Sequence, residues 1–305
     1  MRAIWVWAAA AAAGLTGATP ASAQAIVPPR GEGTVSVTFQ NYRHTGHFDL
    51  SGKKNTNGAT ESQVLITHLD FGVTDTFGLS VSLPFIASKY TGPDVYFVAG
   101  KETRPGPIDD RTYHGAFQDL RIEARRVFVA GRVAIAPFVG VSLPTHNYET
   151  EGEAVPGRHR TELQLGVSAG TEIEKLLPGT EVQMRYSYAT LERVEGFAHT
   201  RSNIDVEVGH GITSRIDVHA TVAWQIAHTG PAPQDLFDIW EIHDRLINSS
   251  FFNLSGGVSF ALLPSTDLFV AAAGTLKGKG GAHVARVLAI GVSRSFGGGF
   301  HGIGR

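Results

Sequence analysis

The side chains best placed to do chemistry in this sequence are ionisable groups that recur at alternate positions. Asp70, Asp119, Arg121, Glu123, Arg125 and Arg132 share one face of a period-two pattern in the first half. Glu162, Glu172, Glu174, Glu181, Arg185, Asp205, Glu207, Arg215, Asp217 and His219 continue it in the second. Carboxylates and guanidiniums on a common face can line a hydrated path whose charge sorts solutes. They can equally pair off into a lattice that stiffens a wall. Acids outnumber arginines here, so the first arrangement would mildly disfavour anions.

Histidines form a second group. His44, His47, His114, His146 and His159, with His199, His228, His243 and His283, map to loops or strand ends on one side of the pattern. Imidazole is the commonest metal ligand and titrates near neutrality. No tight ligand spacing appears. A metal-binding mouth, with the first five as candidates, therefore stands against ordinary polar-loop composition. The sequence predicts no resident metal and no cofactor. Thiolate sites are excluded, because there is no cysteine.

Gly166-Val167-Ser168-Ala169-Gly170 matches a nucleophile elbow. That chemistry needs a strained strand-to-helix turn. The match falls inside an alternating segment, so its glycines follow the alternation and no enzyme is expected.

The elements that carry these groups are long strands. Phe77, Leu79, Val81, Leu83, Phe85 and Ala87 alternate with small or polar residues, and the same pattern recurs over 162–174, 203–213 and 215–227. Successive strand side chains point to opposite faces. The runs last roughly 10–14 residues, against about 5–6 in globular strands. A tilted strand crossing a bilayer needs roughly 9–11. The apolar face also carries Tyr186, Tyr188, Trp224, Phe252 and Phe260, which suits an aromatic girdle at the membrane interface.

Twelve strands are predicted, at about 33–42, 61–73, 76–90, 115–129, 131–148, 159–175, 179–193, 201–213, 215–228, 250–262, 267–276 and 283–296, an even number as single-chain barrels require. Ten or fourteen also fit, since the first and eleventh are weakest. Short turns lie at 74–76, 130–131, 177–179, 213–214 and 263–266. Longer polar loops are predicted at 43–60, 91–114, 149–158, 194–200, 229–249 and 277–282. Short periplasmic turns and long outer loops mark an outer-membrane up-and-down barrel. Leu288, Ile290, Val292, Arg294 and Phe296 form a closing strand with a terminal aromatic, expected to pair with Gly33–Tyr42 and to address the assembly machinery.

Residues 1–23 read as a cleaved signal peptide: Arg2, an apolar run from Ile4 to Leu15, then Ala21-Ser22-Ala23. Residues 24–32 would be a short periplasmic segment, 33–296 the barrel and 297–305 a glycine-rich tail. Removing Arg2 takes the net charge from −2 to −3. That balance argues against nucleic acid. Expected partners are outer-membrane lipids and a small solute. Gln24 to Glu32 is too short for the plug of an energy-coupled receptor or the hatch of a fatty-acid channel.

Two loops invite particular roles. Tyr96-Phe97-Val98 is apolar in a polar stretch and could fold inward as a constriction. Leu236, Ile239, Trp240, His243, Leu246 and Ile247 follow Pro233 at helical spacing, which predicts a short amphipathic helix that caps the mouth, rests on the membrane or simply packs as loop.

Gly115-Ala116-Phe117-Gln118-Asp119-Leu120-Arg121-Ile122 and Gly140-Val141-Ser142-Leu143-Pro144-Thr145-His146 resemble segments of the outer-membrane barrel transporters associated with the meta-pathway of phenol degradation. The resemblance covers most of the chain through loose motifs, and Glu123-Ala124-Arg125 departs from a more usual Gly-x-Lys. It implies a barrel and uptake of small compounds, aromatic ones among them, and supplies no binding residue. The sequence thus predicts an outer-membrane channel for passive uptake of small solutes. The competing expectation is a structural or adhesive barrel with an occluded lumen that binds through its outer loops.

Overall fold

A computed structural model describes residues 25–98, 101–104, 106–173 and 177–297. The segment read as a signal peptide and most of the glycine-rich tail lie outside them. No described helix is long and apolar enough to cross a membrane. The main sheet contains 14 segments, three of which are consecutive pieces of one wall strand, leaving twelve strands around the wall.

In order these are Gly33–Phe48, Lys54–Gly72, Phe77–Thr91, an interrupted fourth strand, Val133–Leu143, Glu162–Glu172, Thr180–Val194, Phe197–Gly211, Ile216–Thr229, Ser250–Leu263, Thr266–Lys279 and Ala282–Phe296. Each is antiparallel to its neighbours. The twelfth strand returns to the first, with Gly33 opposite Phe296 and Val37 opposite Val292. Closure pairs backbone groups that an open edge would leave bare in lipid.

The alternation sorts the two faces. Val35, Val37 and Phe39 are exposed while Ser36, Thr38 and Gln40 are buried. Leu165, Tyr186, Tyr188, Trp224, Leu288 and Ile290 likewise point outward, at 40–55 % exposure. An apolar surface of this extent belongs in a bilayer. The protein is therefore an outer-membrane β-barrel with a largely polar interior.

Gly33 shows why the seam needs glycine. A Cβ there would lie 2.5 Å from the Asp70 carbonyl oxygen and 2.6 Å from the Phe296 ring. The Phe71 and Phe296 rings stack near it, 6.4 Å apart. Aromatic cover of a glycine on a neighbouring strand is a recurrent way to pin sheet register.

The fourth strand runs as His114–Phe117, Leu120–Arg126 and Phe128–Ala130 rather than continuously. Gln118 and Asp119 are adjacent yet both buried. This two-residue irregularity resets the alternation and turns Arg121, Glu123 and Arg125 inward. Three predicted loops are mostly wall. The strands extend through 43–48, 54–60, 194, 197–200, 277–279 and 282, and tight turns join their tips. Glu195 and Gly196 at φ 50° and 78° make one such turn. Conversely, 144–148 and 159–161 leave the wall, because the chain turns inward after Leu143.

Candidate functional site

The lumen wall is cross-braced by ion pairs. Arg125 meets both Asp70 oxygens at 2.7 Å and also donates to Ser80. Arg185 pairs with Glu123 and lies 3.5 Å over the Phe138 ring. That ring can sit there because Gly166 beneath it has no side chain; a Cβ would come within 2.4 Å. Arg201 pairs with Glu162. Each of these pairs joins strands that are not neighbours, so the side chains bridge across the wall rather than along it.

A second zone is acidic. Glu181, Asp205, Glu207 and Asp217 come from the seventh, eighth and ninth strands. The sequence reading missed a fifth member, Asp267 on the eleventh strand, which is 8 % exposed. Its position at a strand start offered no alternation to read. His219 lies over Gly257, where a Cβ would be 2.4 Å from Nε2. Arg132 and Arg215 are exposed at the short turns, and Glu172 is exposed at its strand end. Glu174 lies outside the described residues.

At the short-turn end, the N-terminal segment enters the barrel. The Ala25 amide donates to Gln183 Oε1 (3.1 Å), and Arg125 Nε and Nη2 donate to the Ile26 carbonyl (3.2 and 3.1 Å). Ala25 packs over Gly170, Val27 over Gly78 and Pro28 over Gly72. Those contacts run from the sixth and seventh strands to the second. The segment is thus a strap across the lumen, although it is far too short for a folded plug.

At the long-loop end, residues 152–158 and Arg160 are buried. Asp109 holds this stretch by accepting from the Gly106, Glu153 and Ala154 amides. Burial raises its carboxyl above the ordinary range, while these amides pull the other way. The Gly152 amide donates to the Glu241 carbonyl, and Arg245 donates to the Arg158 and His159 carbonyls at 3.0 and 2.9 Å. Burial and the nearby Arg201 lower the Arg158 pKa. The inward loop is therefore 144–161. Tyr96–Val98 instead pairs with Lys101–Thr103 in a small separate sheet, and its side chains lie outside the described residues.

The predicted loop helix begins at Pro233 as a 3-10 turn to Ile242 and continues as an α-turn, His243–Leu246. Leu236, Leu246 and Ile247 are buried against Val194 and Phe197. It packs on the mouth rather than lying free.

The five histidine candidates separate. His114 is half-exposed and bonded to Asp110 at 2.8 Å. His146 and His159 flank Tyr148, whose hydroxyl donates to Asp119 at 2.6 Å. His44 stacks on Tyr42. His47 meets another imidazole edge-on, that of His243, with ring centroids 5.5 Å apart. Ser168 sits mid-strand within Glu162–Glu172, with no turn at that position.

Among solved structures, the chain resembles the COG4313 outer membrane channel from Pseudomonas putida F1 at TM-score 0.66 and 13 % identity, covering 92 % of this chain and 100 % of that one. It also resembles the β domain of the Bordetella autotransporter Brka at TM-score 0.50 and 12 % identity, covering 87 % of this chain and 100 % of that one. At such identities the likeness establishes the shared barrel fold. No family model and no curated protein matches the sequence.

Proposed function

We propose that this barrel is a channel for passive movement of small solutes across the outer membrane. The observation that carries the reading is a lumen face lined mainly by polar and charged groups, from Asp267 and Glu207 to Arg201 and His44, with one apolar cluster of Tyr42, Val64, Ile66, Ile86, Val284 and Val287 set into it. Water-filled barrels present such interiors. The strap and the inward loop would set two constrictions in series, and the ion pairs would hold the wall rigid around them. Resemblance to a solved outer-membrane channel supports the reading. The motif likeness adds small aromatic or weakly polar compounds as the solute class to test. Asp205, Glu207, Glu181 and Asp217 would disfavour anions. Assembly into the membrane would use the closing strand at Phe296.

Proteoliposomes containing the purified full chain should admit small neutral and cationic solutes faster than empty vesicles. Uptake no faster than in empty vesicles, by a barrel shown to be folded, would instead indicate an occluded structural barrel.

A further inference from the structure

The outer mouth gathers four groups suited to a metal ion. His47, Glu153, His243 and Asp244 each offer one ligand atom, and these atoms all lie within 4.8 Å of one another. Three separate parts of the chain supply them: the tip of the first strand, the inward loop and the short helix. We infer that this cluster is a binding site for a borderline divalent cation of the zinc type, and that the ion ties these three parts together.

The donor orientation argues for it first. His243 Nδ1 is 2.7 Å from the Trp240 carbonyl oxygen, and its ring stacks on Trp240 at 4.2 Å. A carbonyl can only accept, so Nδ1 carries a proton, and in the neutral ring Nε2 presents its lone pair to the cluster. Metal-bound imidazoles are commonly fixed by such a bond at the far nitrogen.

The spacing argues for it second. His243 Nε2 lies 3.4 Å from Asp244 Oδ1 and 3.7 Å from Glu153 Oε2, and His47 Nε2 lies 3.6 Å from Asp244 Oδ1. Bonds of about 2.0–2.2 Å at tetrahedral angles place neighbouring donors roughly 3.3–3.6 Å apart. His47 Nε2, His243 Nε2 and Asp244 Oδ1 are all buried and have no hydrogen bond of good geometry, only the longer ion-pair contacts just given. Buried polar atoms left this way are costly, and they converge on one point. Two imidazoles with two carboxylates suit zinc, nickel, cobalt or copper better than calcium or magnesium, which favour oxygen ligands.

Backbone features place two of the donors, His47 and Glu153. Gly46 sits at φ 70°, and the first strand there carries one extra residue: His44 pairs with Val284 but His47 with Ala282. This bulge re-aims His47, which uninterrupted alternation would send outward. Glu153 is fixed by its amide on Asp109 and its carbonyl on Thr60.

The proposal does not depend on conduction. The test is titration of the full chain in detergent with Zn²⁺ by calorimetry and with Co²⁺ by visible absorption. One equivalent should bind, with the intense d–d bands of a low-symmetry cobalt site. His243→Gln and His47→Gln should each lower affinity at least about 100-fold, whereas His114→Gln, at the start of the fourth strand, should not. Folding of each variant is checked by its heat-modifiable gel mobility; if His243→Gln fails to fold, His47→Gln at the strand tip decides. Absence of stoichiometric binding, or binding that survives both histidine variants, would overturn the site. An imidazolium–carboxylate network without metal predicts that negative result.

Discussion

Arg125 contacts both carboxylate oxygens of Asp70 at 2.7 Å, with 2 % and 0 % of the two side chains exposed. The same guanidinium holds the Ile26 carbonyl, so one buried pair both braces the wall and anchors the strap. Removing one partner strands the other charge. Asp70→Ala should destabilise the barrel by about 3–5 kcal/mol, whereas replacing both partners with apolar residues of similar volume should cost much less. Guanidinium unfolding in lipid vesicles measures the difference. Equal effects for the single and double variants would show that the pair is not coupled.

The two faces should respond oppositely to charge. Leu165→Arg places a cation among lipid tails and should cost about 2–4 kcal/mol. Gln164→Arg, one residue away but on the lumen face, should leave stability nearly unchanged and alter ion selectivity. Unfolding titrations in vesicles check the first outcome, and reversal potentials in a salt gradient check the second.

The seam depends on Gly33. Gly33→Val should push the first and twelfth strands apart, because the new Cβ meets the Phe296 ring at 2.6 Å, and it also crowds the Asp70 carbonyl oxygen of the second strand at 2.5 Å. The fraction of heat-modifiable protein after refolding should fall sharply. Gly196→Val is a poor comparison because that turn needs positive φ; Leu165→Val, on the open lipid face, should refold normally.

Asp109 is the latch of the inward loop. Asp109→Ala leaves the Glu153 and Ala154 amides without their acceptor, a loss of about 1–3 kcal/mol for buried groups. Limited proteolysis should then cut within 144–161 faster than in the parent. Unchanged cleavage would place the restraint elsewhere, in Arg245 and the Gly152–Glu241 contact.

Much of the wall was legible in the sequence because strand alternation is local. Residues such as Phe77 to Ala87 reveal their two faces without knowledge of any partner, and the closing strand shows its aromatic end. Twelve strands followed. Loop tips were less legible: above the bilayer the wall faces water on both sides, so 43–48 and 197–200 read as polar loop while remaining strand. The strap was illegible for another reason. Ala25 to Pro29 has no pattern of its own, and its bonds go to Gln183 and Arg125, distant in sequence. The mouth cluster was half visible. His47 and His243 stand out in the sequence as loop histidines, but Glu153 and Asp244 become their neighbours only once the inward loop folds. The adjacent His243-Asp244 pair was the one local clue.

The most direct test of the channel reading is single-channel recording in planar bilayers, comparing the full chain with a variant lacking residues 25–29. The parent should show small, discrete conductance steps, and removal of the strap should enlarge them. A folded barrel that stays silent in both forms would contradict a conducting lumen.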